Sequence, residues 1–179
     1  MTFAKILFLF CLALALPASA QIVRKPATAE DRRPNDPKVP NSYSLSGQFD
    51  RVVVMRMKFK TDLLTEMENQ VKQQKIQNAV ILSGIGSLRG YRVHNVASRD
   101  YPVDDMFTGN PTAPADLIGM NGYIVRGKVH AHVTMALGDK AATTVSGHLE
   151  KGSEVLTFAI VTVGILNTDL GRVDDLTYR

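Results

Sequence analysis

The sequence predicts an α+β domain, a mainly antiparallel β-sheet carrying one main helix. Three observations predict it. About seven short runs are rich in β-branched residues, the composition that fits a pleated, half-buried surface. Only residues 62–75 place apolar side chains at helical spacing. Removing a 20-residue leader from the 179 leaves 159 residues, enough for one self-sufficient core.

That leader is residues 1–20. Lys5 supplies a positive start, residues 6–16 form an uninterrupted apolar run, and Pro17 precedes the small-x-small pattern Ala18-Ser19-Ala20. These are the three parts of a cleavable secretory signal, and the run is too short to span a bilayer, which takes about 20 apolar residues. The expected mature chain begins at Gln21 and is periplasmic or secreted. Its cysteine count is zero, because Cys11 leaves with the leader, so disulfide and thiol chemistry are excluded. Losing Lys5 lowers the formal charge from +4 to +3, which implies no polyanion partner by itself. No later stretch is apolar for long enough to be a membrane span.

Residues 21–47 read as a disordered linker, since Pro26, Pro34, Pro37 and Pro40 recur among charged and small residues with no apolar period. The folded domain is expected over residues 48–179. Residues 51–57 read as its first strand. The helix at 62–75 has Thr61 or Asp62 placed to cap it, and Leu63, Leu64, Met67 and Val71 share one face. Strands follow at 79–85 and 88–97, with the glycines of Ser83-Gly84-Ile85-Gly86-Ser87 expected to allow a tight bend between them. A dinucleotide-loop reading of Gly84-Ile85-Gly86 fails, because the third glycine position is Arg89 and no amphipathic helix follows. Residues 98–115, with Pro102, Pro111 and Pro114, read as a long loop. Further strands are expected at 118–125, 129–137, 143–149 and 154–164.

The histidines carry the chemistry. In a strand, residues two apart point the same way. His130 and His132 therefore share a face with Thr134 and Ala136, while Val129, Ala131, Val133, Met135 and Leu137 form the apolar side. In the next strand Val145, Gly147 and Leu149 oppose Thr144, Ser146, His148 and Glu150. A hairpin must match apolar with apolar. If its loop is 138–142, His132 lies opposite His148 and His130 opposite Glu150; a register shifted by two keeps the same faces. Three neutral imidazoles so arranged suit a divalent metal, Zn²⁺ first, with an open position for water or substrate. A polar outer face carrying ordinary His–His and His–Glu contacts explains the same pattern. His94, on another strand, reads as structural or as rim.

Four stretches resemble the PPC (plants and prokaryotes conserved) domain family. Ser83-Gly84-Ile85-Gly86-Ser87-Leu88 resembles its S-G-I-G-A/S stretch, and 116–122 is similar to its E-I-L-S-L-x-G segment. Gly127-Lys128-Val129-His130-Ala131-His132 resembles the bacterial G-R-x-H-x-H, and Ser146-Gly147-His148-Leu149 its G-G-H-L. The resemblance, over about 52–177, implies an α+β fold around an antiparallel sheet, a homotrimer, and a metal role for His130, His132 and His148, with Glu150 either behind these ligands or as a fourth. Family members carry a DNA-binding label by analogy with plant relatives, whose DNA contact comes from a separate AT-hook. This chain has no Arg-Gly-Arg-Pro core, and Lys128 replaces the usual arginine.

The function expected is thus an exported, trimeric domain binding a divalent metal and a small ligand or protein partner, without established catalysis. A DNA-binding protein is the first alternative, and nucleic acid as a partner is disfavoured by the charge. A metal-dependent hydrolase, with Glu150 as base, is the other alternative.

Overall fold

A computed structural model describes residues 20–28, 37–99 and 101–173. The expected signal peptide, bar Ala20, lies outside the described residues. Within them the chain forms β1 (Gln21–Lys25), β2 (Phe49–Lys58), α1 (Leu63–Gln73), β3 (Asn78–Leu88), β4 (Tyr91–Val96), β5 (Asp105–Asn110), β6 (Ala115–Val125), β7 (Lys128–Leu137), β8 (Thr144–Leu149) and β9 (Val155–Leu166). All nine strands belong to one sheet, in the order β1-β5-β4-β8-β7-β6-β3-β9-β2, and every pairing is antiparallel. The α+β class, with one helix and an antiparallel sheet, is as the sequence predicts. Among the described residues, no helix is long and apolar enough to cross a membrane.

Helix α1 starts where Asp62 caps it. The Asp62 carboxylate accepts the Thr65 backbone N–H at 2.8 Å, and its second oxygen accepts the Gly152 N–H at 2.7 Å. One side chain thus satisfies an orphan helix donor and ties the helix to the β8–β9 turn. Leu63, Met67 and Val71 point inward and are buried.

The core uses one face of the sheet. Following the register across strands, Met55 faces Val161, Val163 faces Ile81, and Ile81 faces Gly122. Ala131 faces Gly122, Val133 faces Gly147, and Leu149 faces Val93. Residues directly opposite share a side, so these buried groups and the α1 stripe form one cluster. The other face begins with exposed Val52, Val54, Ile85 and Phe158. It continues through Val52–Gly164–Val80–Tyr123–His130, each facing the next.

Three sequence expectations need correction. Residues 21–25 are not part of a linker but form β1, paired to β5 through all five residues. Every side chain of β1 is exposed, so no burial alternation marked it; backbone bonds and the Arg24–Asp104 ion pair hold it. Its backbone continues to Ala27, whose N–H donates to Asp104 at 3.0 Å. The expected loop at 98–115 contains β5 and the first residue of β6, since its prolines lie at 102, 111 and 114, outside the strand. Gly84 and Gly86 do not form a bend; they sit within β3. A Cβ on Gly84 would lie 2.6 Å from the Met120 Cβ, and one on Gly86 2.6 Å from the Ala159 Cα. These glycines serve close strand approach rather than turning.

Candidate metal centre

β7 directs His130 and His132 to the face opposite the core because its alternate residues, Ala131, Val133 and Met135, are buried. β8 does the same for His148, between buried Gly147 and Leu149. His132 lies directly opposite His148, the register expected from apolar matching. The ring centroids of His130 and His132 stand 4.7 Å and 5.2 Å from that of His148, both edge-on. One nitrogen from each of the three lies within 4.8 Å of the others. Tyr123 stacks on His130 at 4.8 Å.

The structure places His94 inside this cluster, not apart from it. β4 pairs with β8 so that His94 faces His148, with ring centroids 4.5 Å apart. Phe107 of β5 faces His94 in turn, at 5.1 Å. One row therefore crosses the sheet: Asn121, His132, His148, His94, Phe107 and Val23. The parity of β4 was readable, since buried Tyr91 and Val93 alternate with Arg92 and His94. The β4–β8 pairing was not, because it joins segments separated by three other strands in sequence.

Glu150 also differs from expectation. It does not pair with His130, because the β7–β8 ladder stops at His132–His148. Its N–H donates to the Arg92 carbonyl at 3.0 Å, which draws it toward β4. There its carboxylate lies 2.8 Å from His94 Nδ1. The groups His94, His148 and Glu150 form a second cluster with ligand atoms within 4.8 Å of one another.

The electrostatics favour neutral imidazoles at His132 and His148. Burial, then the neighbouring His94, His130 and His132, pushes His148 from 6.5 down to about 4, against a small opposing effect of Glu150. Burial lowers His132 as well, followed by His130 and His94. A ring that resists protonation keeps its lone pair for a metal ion, so the donor set fits a divalent transition metal. Bound there, such an ion would supply a Lewis acid with an open coordination position.

These features define a class of protein: an α+β domain whose single antiparallel sheet bears a histidine-rich candidate metal site. The Plants and Prokaryotes Conserved (PCC) domain matches the chain over residues 44–167, and the chain belongs to that family. This is the family that its motifs resemble. Among solved structures it is similar to a plant- and prokaryote-conserved protein from Pyrococcus horikoshii, at 23% identity and TM-score 0.59, covering 72% of this chain and 87% of that one. A metal-containing protein from Archaeoglobus fulgidus is similar at 19% identity and TM-score 0.58, covering 72% and 88%. A protein from Bacteroides thetaiotaomicron, described as a candidate DNA-binding protein, is similar at 14% identity and TM-score 0.54, covering 69% and 86%. That description stands weakly against the expectation that nucleic acid is disfavoured as a partner. At these identities the three likenesses establish the fold. No curated protein matches the chain.

Proposed function

We propose that this protein is an exported, trimeric PPC-domain protein that binds one divalent ion at His130, His132 and His148 and presents it to a small ligand or protein partner. The observation that carries the reading is the convergence of three imidazole nitrogens from β7 and β8 within 4.8 Å. Zn²⁺ is the first choice, since tetrahedral nitrogen sites suit it and three protein ligands leave a position open. The A. fulgidus neighbour, described as metal-containing, supports the same reading. Assembly is supported by the exposed apolar face of β2, β3 and β9, a surface that single-chain proteins rarely leave open. Export rests on the residues 1–20 pattern. Metal analysis of purified protein tests the core of the reading. Stoichiometric zinc in wild type, retained in His94→Ala, supports it, and no uptake of zinc, nickel or manganese overturns it. A mature N-terminus at Gln21 on protein from outside the cytoplasm supports export; an intact Met1 overturns that part.

The description of the B. thetaiotaomicron neighbour favours DNA binding as a second reading. The whole-chain excess of 21 Lys and Arg over 17 Asp and Glu is small for a duplex binder. A titration at physiological salt decides: sequence-selective, submicromolar binding would put DNA first.

A further inference from the structure

We propose a second divalent-metal position on this sheet face, made by His94, His148 and Glu150. It deepens the proposed function and rests on it only in sharing His148. His94 comes from β4, His148 from β8, and Glu150 from the residue after β8, so three separate backbone positions aim donors at one point. Their ligand atoms lie within 4.8 Å of one another. His94 Nδ1 and Glu150 Oε1 are already 2.8 Å apart. Two donors about 2.05 Å from a tetrahedral ion stand roughly 3.3 Å apart, so the pair needs to open by only about half an ångström to admit one.

The position is built rather than incidental. The side chains of His94 and Glu150 are only 23% and 29% exposed. Glu150 is fixed by its backbone bond to Arg92, and Phe107 packs on the His94 ring. The donor set differs in kind from the first triad. Two imidazoles and a carboxylate form the set used by hydrolytic zinc sites, whereas three imidazoles carry no formal charge. The carboxylate offsets one positive charge of the ion, so this position also accepts harder divalent ions such as Mn²⁺. His148 is the hinge between the two, and an ion leaving the His130–His132 side meets the second triad without leaving the patch.

The test removes one triad at a time and measures Zn²⁺ binding by calorimetry on metal-stripped protein, with circular dichroism and melting as folding controls. His130→Ala/His132→Ala should still bind about one Zn²⁺ per chain, as expected of a complete three-ligand site. Adding Glu150→Gln, which keeps shape and removes charge, should weaken that binding by more than about 100-fold, beyond the loss of a partner that merely orients a ligand, because only two imidazoles remain. If folded His130→Ala/His132→Ala binds no Zn²⁺ while His94→Ala/Glu150→Gln still does, the second position is wrong and the first triad stands. If His130→Ala/His132→Ala binds and His94→Ala/Glu150→Gln does not, the first triad is wrong and the second stands. If only the wild type binds, one five-residue site replaces both and the proposal of a separate position falls.

Discussion

His94 and Glu150, 56 residues apart in sequence, meet at 2.8 Å between Nδ1 and a carboxylate oxygen. The contact fixes the far side of the histidine cluster and joins it to the β4 strand. His148 stands between this pair and His130–His132, so it is the residue on which both candidate ligand sets depend.

His148→Ala should therefore remove more bound metal than any other single histidine substitution. Its loss leaves at most two imidazoles on either side, and two rarely hold Zn²⁺ tightly. Elemental analysis of the four single variants, each confirmed folded, checks the ranking. Equal retention by His148→Ala and wild type would contradict the site.

Metal should be held to lower pH than free imidazole allows. Protons compete with the ion for the same nitrogens. His148 and His132 both lie below the usual 6.5, the former at about 4. Zinc release should accordingly begin below pH 6.5 and proceed toward pH 4, as followed by dialysis and elemental analysis. Release centred at or above pH 6.5 would contradict this.

The metal-free protein should lose stability over the same window. His148 binds protons more weakly folded than unfolded, so unfolding takes up a proton as pH falls below the unfolded value of 6.5. The loss grows down to about pH 4 and then levels off. Its ceiling is about 3 kcal/mol, at about 1.4 kcal/mol for every tenfold loss of proton affinity, and solvent screening of the half-buried ring brings it below that. Urea unfolding at pH 7.5 and pH 4.5 measures it, and His148→Ala should show a smaller difference between the two.

Gly84→Ala should destabilise the fold without touching the histidines. Its new methyl would meet the Met120 Cβ at 2.6 Å, where β3 runs beside β6. Overpacking of this kind costs about 1–3 kcal/mol, or roughly 2–10 °C in melting temperature for a chain of this size. An unchanged melting temperature would mean that Met120 moves aside freely.

Val54→Asp should break the assembly and spare the domain. Val54 is 65% exposed on the apolar face, so a charge there costs the single chain little, within about 0.5 kcal/mol. Light scattering coupled to size exclusion should report a trimer for the wild type and monomer for the variant. A wild-type monomer would remove the assembly reading altogether.

The sequence by itself determined what local periodicity can encode. Runs of β-branched and alternating residues marked seven of the nine strands, apolar spacing marked α1, and its cap at Asp62 was one of two residues anticipated. The same alternation assigned His130, His132 and His148 to one face, and apolar matching across a short loop predicted the His132–His148 pair. Such a hairpin is local, so a one-residue slip would have turned Val133 and Leu149 outward. Tertiary structure decided the rest. β1 is exposed on both sides and leaves no pattern, so only its pairing with β5 defines it. β5 was hidden among prolines that flank it. His94 and Glu150 joined the site because β4 docks on β8, a long-range pairing that buries Val93 against Leu149; the alternation around His94 gives its face but not the strand it pairs with.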